Sequence, residues 1–259
     1  MIGIGGSGIN IINKAVSEQI SEIEFVGIDT DEKALQLCNS PNIIQVEKSF
    51  ASYFKSESEQ KAVDDNVENI RELIKEADVV FICCGMGEEM GTEGSQVVAH
   101  IAKEMGILTI GIVTKPFRFE SSIRRENAKY GIEELKKYTD TLFVITNDVI
   151  LETVDKGSDL SEACSMINML ILHGILGINS LVDPNTINCK SLEQLCNIMK
   201  GNNIGHIGCG TAKRKKNLIE TLHNTANSLW LENSIKESVQ VMLLIYGDVL
   251  ELDESDSFF

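Results

Sequence analysis

Two glycine-rich segments carry the residues that could bind an anion. In the first, Gly3, Gly5 and Gly8 have the spacing G-x-G-x-x-G between a short apolar run and a segment of helical periodicity. Glycines at this spacing let the backbone approach a phosphate, and the predicted helix after Gly8 supplies N–H donors at its N-terminus. Asp29 ends the next predicted strand, where an acid can bind a ribose hydroxyl. This fingerprint alone fits NAD, another nucleotide or a tight structural turn.

The second segment, GMGEEMGTEG at residues 85–94, combines glycines with the carboxylates of Glu88, Glu89 and Glu93. A carboxylate about 4 Å from a phosphate charge is unfavourable by about 4 kcal/mol at an effective dielectric of about 20. That approaches half of the binding free energy of a micromolar complex, about 8 kcal/mol. Two interpretations stay open. Either a bound Mg²⁺ uses one of these acids as a ligand, or the acids point to solvent beside an empty pocket.

Apolar runs alternate with segments of helical spacing along much of the chain. The predicted strands are MIGIG, EFVGID, ADVVFICC, ILTIGIVT and DTLFVIT, and a long apolar helix is predicted at roughly 158–176. Such alternation indicates a parallel sheet covered by helices on both faces. The pattern weakens after the long helix, so we predict a domain boundary near residue 180. Behind it lie predicted helices near 191–199 and 213–228, a strand at 204–210 and the strand VQVMLLIYG.

Composition excludes several classes of function. The 259 residues carry a net charge of −16, which would repel a phosphate backbone, so no nucleic-acid partner is expected. No run reaches the roughly 18 uninterrupted apolar residues of a membrane span, and no signal peptide is recognised. We therefore expect a cytoplasmic protein without direct membrane insertion. The seven cysteines lack C-x-x-C spacing, which favours buried free thiols, and the four histidines show no ligand spacing, so no metal site is predicted.

Longer motifs point to a family. FICCGMGEEMGTEGS, GILTIGIVTKPFRFE and DTLFVITND, in this order behind the first loop and IDTD, resemble the tubulin-like cell-division GTPase family FtsZ. The similarity continues to IGHIGCGTAKRKKNLIETL and SVQVMLLIYGD, and so covers nearly the whole chain. It implies a tubulin/FtsZ-like α/β fold, with a Rossmann-type GTPase domain and central helix at 1–180 and a reduced α+β domain at 181–259. It also implies GTP bound between protofilament subunits and hydrolysed when the next subunit supplies an acidic loop.

The resemblance assigns roles residue by residue. Glu120 matches the acid that holds the ribose, Arg124 the arginine near the phosphates, and Asn147 a sugar-contacting residue. Without the surrounding motif, the first two would equally fit a solvated helix start. The predicted nucleotide-binding residues are Gly5, Gly6, Ser7, Gly8, Asn10, Gly85, Gly87, Gly91, Thr92, Glu120, Arg124, Asn147 and Asn168.

The chain also departs from the family pattern. The second loop differs from the family's GGGTGTG through its three glutamates. The long helix has Asn168-Met169 where the family usually has Asn-Asp, so the acid that reads guanine is missing, and Asn168 fits either a guanine contact or a helix asparagine without a ligand. In the loop that should reach the neighbouring subunit, Lys190 replaces the first acid and Glu193 the second. Glu193 is the candidate catalytic residue, polarising water, and it equally fits an exposed acid early in a helix.

Together these features predict a divergent FtsZ-like cytoskeletal or cell-division protein. It would bind GTP or GDP, with Mg²⁺ as a candidate ion, assemble end to end with itself, and hydrolyse GTP weakly or not at all. The alternative is a nucleotide-free pseudo-enzyme that acts as a partner or regulator of another, competent FtsZ-like polymer. An NAD-dependent enzyme ranks third, because nothing downstream supplies a nicotinamide site.

Overall fold

Among the described residues, a seven-stranded parallel sheet forms the core of the unit Met1–Gly205. The computed structural model describes residues 1–20, 23–52, 64–153, 159–184, 189–201 and 203–208, together with residues 210, 221 and 225. The strands lie in the order β3-β2-β1-β4-β5-β6-β7, and every pairing is parallel. Their bounds are β1 Ile2–Ile4, β2 Val26–Asp29, β3 Asn42–Gln45, β4 Val79–Gly85, β5 Leu108–Lys115, β6 Thr141–Thr146 and β7 Asn203–Gly205.

Helices connect the strands and cover both faces of the sheet. A 3₁₀ turn spans Lys48–Ser52, and a π turn at Met90–Gly94 leads directly into α4. The α-helices are α1 Gly5–Ser17, α2 Glu32–Gln36, α3 Asp64–Ile74, α4 Ser95–Glu104, α5 Ser122–Leu135, α6 Asp148–Thr153, α7 Leu160–Ser180 and α8 Leu192–Met199. The predicted α/β class, with a Rossmann-type parallel sheet, is therefore confirmed.

Alternation along β1 shows how the two faces are used. Ile2 and Ile4 point into a buried apolar cluster that also contains side chains of α3, α4 and α5. Gly3 lies between them and so faces the other side of the sheet, because successive residues of a strand point to opposite faces. On that side α1 packs closely against β1, and α7 packs against α1.

Two of the cysteines are buried because they lie in a central strand of the sheet. β4 and β5 are buried on both faces, as expected for parallel strands covered by helices, and Cys83 and Cys84 are fully buried in β4. Burial raises the pKa of the Cys84 thiol to about 12 and also raises the pKa of Cys83. All six cysteines among the described residues are free thiols. The expectation that the cysteines are buried was wrong for Cys164 and Cys189, which are exposed.

The strand order reverses between β1 and β4. From β1 the chain proceeds outwards through β2 to β3, and from β4 it proceeds the other way through β5 and β6 to β7. A crevice opens at such a reversal, outside the carboxyl ends of the strands, and it is where open α/β sheets bind ligands. The two glycine-rich segments follow β1 and β4, so the topology brings both to this crevice.

Helix α7 is the predicted long apolar helix, and it runs from Leu160 to Ser180 rather than over about 158–176. It buries one apolar face and packs against α1 and α6. By length and composition it could also cross a membrane, a property that it shares with the core helices of soluble proteins.

The chain divides into two compact units, Met1–Gly205 and His206–Phe259. The predicted helix at 213–228 and the predicted strand VQVMLLIYG lie essentially outside the described residues. The proposed division into domains at 180/181 stays a prediction.

Candidate functional site

The first glycine loop is a tight turn from β1 into α1. Ile4 is extended, and Gly5 follows with a positive φ of 70°, which favours glycine. The helix therefore begins at Gly5, inside the glycine motif, and not after Gly8 as predicted. A Cβ added at Gly8 would lie 2.5 Å from the carbonyl oxygen of Cys83 and 2.6 Å from the carbonyl carbon of Gly3. Gly8 is therefore the point where α1 presses on β1 and β4.

The first turn of α1 is open to a ligand. Gly6, Ser7 and Asn10 are exposed, and a Cβ added at Gly6 would meet nothing within 4 Å. Ile4 provides no side-chain cap, and the first turn contains no acidic residue. The first N–H groups of a helix lack intrahelical partners and attract anions. This loop therefore keeps the geometry of a phosphate cradle.

The second glycine-rich segment is largely helical. Glu89 has helical dihedral angles, and the π turn runs from Met90 to Gly94, so only a short loop remains after β4. Side chains in place of glycines fit this right-handed conformation without strain. The hydroxyl of Thr92 accepts a hydrogen bond of 2.8 Å from the backbone N–H of Gly87, which closes the loop on itself. The π turn, a feature often found at functional sites, thus begins α4 directly beside the crevice.

Two glycines hold this closed loop in place. Gly87 has a φ of 111°, and a Cβ added there would lie 2.8 Å from the carbonyl oxygen of Arg124. A Cβ added at Gly91 would lie only 2.0 Å from the carbonyl oxygen of Gly85. Close packing against neighbouring backbone atoms therefore requires glycine at both positions. This requirement holds whatever their role towards a ligand.

The two loops touch each other. A Cβ added at Gly5 would lie 3.7 Å from the backbone nitrogen of Gly91, and one added at Gly85 would lie 2.5 Å from the Ser7 hydroxyl oxygen. The residues predicted from both loops are therefore brought together at the carboxyl ends of β1 and β4.

Arg124 carries an ion pair on each side of its guanidinium. One terminal nitrogen lies 2.7 Å from Oε1 of Glu88, and the other lies 3.1 Å from Oε2 of Glu120. Its Nε is buried and has no hydrogen-bond partner among the described residues. Glu89, in contrast, is exposed and forms no ion pair within the described part of the chain. The interpretation that these acids point to solvent thus fits Glu89, whereas Glu88 is bound by an arginine.

Local hydrogen bonds position Glu120 at the start of α5. Its Oε1 accepts the backbone N–H of Phe117 at 2.7 Å, and the hydroxyl of Ser121 caps the helix by accepting the backbone N–H of Arg124. The carboxylate of Asp148 accepts the backbone N–H of Arg118 at 3.0 and 3.1 Å, which ties this turn to the start of α6. These bonds leave the second oxygen of Glu120 for Arg124.

Asn147 lies at the end of β6, immediately before α6, and therefore near the turn that carries Glu120. Its Oδ1 is buried and has no partner among the described residues. Buried polar atoms without partners are rare in native structures and require an explanation. A ligand group that donates to this oxygen would provide one, which fits the predicted contact with a sugar.

Asn168 lies in the first half of α7 and is half-buried. Cys164 lies about one turn earlier, and partial desolvation, followed by the Glu120 carboxylate, raises the pKa of its thiol. The described contacts do not connect Asn168 itself with the loop residues, so its role as a guanine contact stays a prediction.

Glu193 lies away from this cluster. It is exposed in the first turn of α8, which begins with a reciprocal capping box between Ser191 and Gln194. The backbone N–H of Lys190 donates to the carbonyl oxygen of Leu181 at the end of α7, at 2.5 Å. With a rise of about 1.5 Å per residue, that end lies roughly 25 Å from Cys164. None of the described contacts connects Glu193 with the loop residues, and its action on a neighbouring subunit stays a prediction.

Two further sequence interpretations can be compared with the structure. Asp29 is buried, and its Oδ1 accepts the backbone N–H groups of Thr30 and Asp31, so this acid organises its own loop. Within the described ranges, no group of three or more His, Cys, Asp or Glu side chains is placed to hold a metal ion.

The pairing of Glu88 with Arg124 was not predicted. A signal for it was present, because the sequence placed an acid and an arginine beside the same expected phosphates. Opposite charges assigned to one location would also meet each other in the absence of a ligand.

Comparisons with known proteins identify the family and support the fold. A model of the Tubulin/FtsZ family, GTPase domain, matches residues 1–155. The empty FtsZ dimer of M. jannaschii is 30% identical with a TM-score of 0.72, covering 86% of this chain and 67% of that chain. CetZ from Methanosaeta thermophila strain DSM 6194 is 17% identical, with a TM-score of 0.72 over 91% of this chain and 70% of that chain. CetZ2 from Haloferax volcanii, a GTPγS-bound protofilament, is 17% identical, with a TM-score of 0.62 over 87% and 72%.

The two CetZ structures share the fold at low identity. The family model covers more than half of the chain, and the FtsZ structure adds 30% identity over most of it. This chain therefore belongs to the tubulin/FtsZ family.

Proposed function

We propose that this protein is a divergent cytoskeletal or cell-division protein of the cytoplasm that binds a guanine nucleotide, self-assembles, and hydrolyses GTP weakly or not at all. The observation that carries the proposal is the open first turn of α1, which has no side-chain cap and no acid and lies at the reversal of the strand order. Phosphate groups bind such helix N-termini.

Further residues of the crevice fit the rest of a nucleotide. Glu120 and Arg124 lie beside the loops, and the Nε of Arg124 and the Oδ1 of Asn147 are buried polar atoms without partners in the described structure. A nucleotide supplies both acceptors and sugar hydroxyl donors. The same crevice could therefore hold phosphates against α1 and the sugar near Glu120 and Asn147.

Self-assembly is supported by the relatives and by the position of α8. The FtsZ structure is described as a dimer and the CetZ2 structure as a protofilament. Lys190 and Glu193 are exposed at the far end of α7 from the crevice, where they can contact another subunit. A contact between unlike faces repeats into an open filament.

Nucleotide binding is the first test. Purified protein would be denatured and its released nucleotide identified, and calorimetry would then measure the affinity for GTP, GDP, ATP and NAD with and without Mg²⁺. We expect guanine nucleotide to bind and ATP and NAD to bind more weakly. Tighter binding of NAD than of GDP and GTP would contradict the proposal.

Weak hydrolysis is tested at the α8 loop. Lys190 holds the position of an acid in the family, so Lys190→Asp should raise the rate of phosphate release under assembly conditions. Glu193→Gln should abolish any remaining release without changing nucleotide affinity, because the loop acts on a neighbouring site. Brisk release that neither variant alters would contradict this assignment.

One observation favours a second candidate function, the nucleotide-free pseudo-enzyme. Glu88 already neutralises the arginine that would face the phosphates. A protein without bound nucleotide that stays monomeric at high concentration in sedimentation velocity, and that binds another FtsZ-like polymer, would support this candidate instead.

A further inference from the structure

Glu88 is held against Arg124 by its own loop. The carbonyl oxygen of Glu88 accepts the backbone N–H of Thr92 at 2.8 Å, inside the helical turn. The preceding Gly87 is pressed onto the Cγ and the carbonyl oxygen of Arg124. The Glu88 carboxylate therefore meets the guanidinium from a fixed backbone, even though 65% of the side chain is exposed.

Acids outnumber bases in direct contact at the guanidinium of Arg124. It lies between two carboxylates, Glu88 and Glu120, and the neighbouring Glu89 adds a further exposed acid. The guanidinium of Arg125 binds backbone carbonyl oxygens of Arg118 and Glu120 instead. A ligand phosphate that approaches Arg124 must displace Glu88 or accept its repulsion. The buried Nε of Arg124 has no partner in the described structure and can donate to a single acceptor, whereas both terminal nitrogens are already engaged with carboxylates.

The first loop does not repel a ligand phosphate in this way, because the first turn of α1 contains no acid. A nucleotide can therefore keep its contact with α1 while each added phosphate charge meets the carboxylate beside Arg124. Repulsion between like charges increases with the charge of the ligand.

We infer that Glu88 is a specificity-determining residue that makes this site prefer the guanine nucleotide with fewer phosphates, so that GDP binds at least as tightly as GTP. The inference rests on the proposed guanine-nucleotide site and adds to it the charge of the preferred ligand. Glu88 acts as an internal substitute for a phosphate on Arg124.

The test compares Glu88→Gln with Glu89→Gln, a matched change at the neighbouring acid that forms no ion pair among the described residues. Calorimetry at low ionic strength without Mg²⁺ would measure the affinities of GMP, GDP and GTP for the wild type and both variants. We expect Glu88→Gln to tighten GTP about tenfold, equivalent to about 1.4 kcal/mol, and GDP by less. Glu89→Gln should have a smaller effect, and added salt should reduce the difference.

The outcomes separate the inference from the proposed function. If the wild type binds GTP more tightly than GDP and Glu88→Gln leaves that ratio unchanged, the inference is wrong, while the guanine-nucleotide site stands. If no variant binds any guanine nucleotide, the proposed function itself fails. Thermal unfolding would check that Glu88→Gln is folded, and Glu88→Ser would replace it if it is not.

Discussion

The two glycine loops occupy equivalent places in the fold and differ in what their helices offer an anion. Each follows a strand beside the reversal of the sheet, and each leads into a helix. The first turn of α1 is exposed and contains no acid. The turn before α4 begins next to Glu88 and Glu89, whose carboxylates place negative charge beside the helix start although neither caps it. The position of a loop in the sheet therefore does not by itself create a phosphate site. The side chains in the first turn of the helix determine whether an anion can bind there.

The glycines of the two loops also serve different purposes. Gly6 has open space where a side chain would be, so its lack of a Cβ leaves room for a ligand. Gly91 has a backbone carbonyl oxygen in that place, so its lack of a Cβ permits packing. A side chain added at Gly91 should therefore reduce stability, whereas a side chain added at Gly6 should reduce ligand binding.

The largest expected effect is on stability at the second loop. Gly91→Ala places a Cβ about 2.0 Å from the Gly85 carbonyl oxygen, so the backbone must shift. We expect the free energy of unfolding to fall by about 3 kcal/mol or more. Gly6→Ala is the matched control, and it should leave thermal and denaturant unfolding unchanged or slightly raise stability, since alanine favours the helix. Equal losses in both variants would remove the distinction between the two glycines.

The hydrogen bond that closes the second loop should have a somewhat smaller effect. Thr92→Val keeps the shape but leaves the buried N–H of Gly87 without its acceptor. Such a loss costs about 1–3 kcal/mol, measurable by denaturant unfolding. Thr92→Ser keeps the hydroxyl and loses a methyl group, at about 1 kcal/mol. A valine variant more stable than the serine variant would show that the hydrogen bond contributes little.

Binding at the first loop supplies the next comparison. In Gly6→Ala the added methyl group occupies the cradle, so we expect GDP to bind about tenfold more weakly, equivalent to about 1.4 kcal/mol. Guanosine, which has no phosphate, serves as the control ligand, and its affinity should not change. An unchanged GDP affinity would mean that the phosphates do not approach α1 at Gly6.

The smallest expected effect concerns Cys164 in the first half of α7. Partial desolvation, and to a lesser extent the Glu120 carboxylate, raises the pKa of this exposed thiol. Glu120→Gln should lower that pKa, increase the thiolate fraction at a given pH, and speed alkylation measured by peptide mass spectrometry. The exposed Cys189 lies at the far end of α7 and should react at an unchanged rate. A slower reaction of Cys164 would contradict its closeness to Glu120.

The sheet was largely predictable from the sequence. Parallel strands buried on both faces give continuous apolar runs, such as those at β4 and β5, and these runs identify a strand without knowledge of its neighbours. The start of α1 was missed, because hydrophobic spacing does not show that Gly5 takes a positive φ and begins the helix. At the second loop the glycine pattern outweighed the helical preference of the residues between the glycines, so the segment was interpreted as a glycine loop and the π turn was not predicted.

The candidate site was predictable in composition but not in its contacts. Both loops, Glu120 and Arg124 do lie together, as the resemblance implied. The ion pair of Glu88 with Arg124 depends on the distance between the second loop and α5, which are far apart in sequence. Only packing of the loop on α5 through Gly87 sets that distance. The binding roles themselves stay predictions.

The register between β1 and β4 has a consequence for folding. Ile2 lies opposite Ile82, so the centre of the sheet joins segments that are far apart along the chain. Closing so long a connection costs chain entropy before any pairing compensates for it, which slows folding. The strands β1 to β3 can pair locally, as can β4 to β6, but the two halves of the sheet join only when β1 pairs with β4. A ligand that contacted both glycine loops would stabilise this pairing. It would slow the separation of β1 from β4 more than it speeds their pairing.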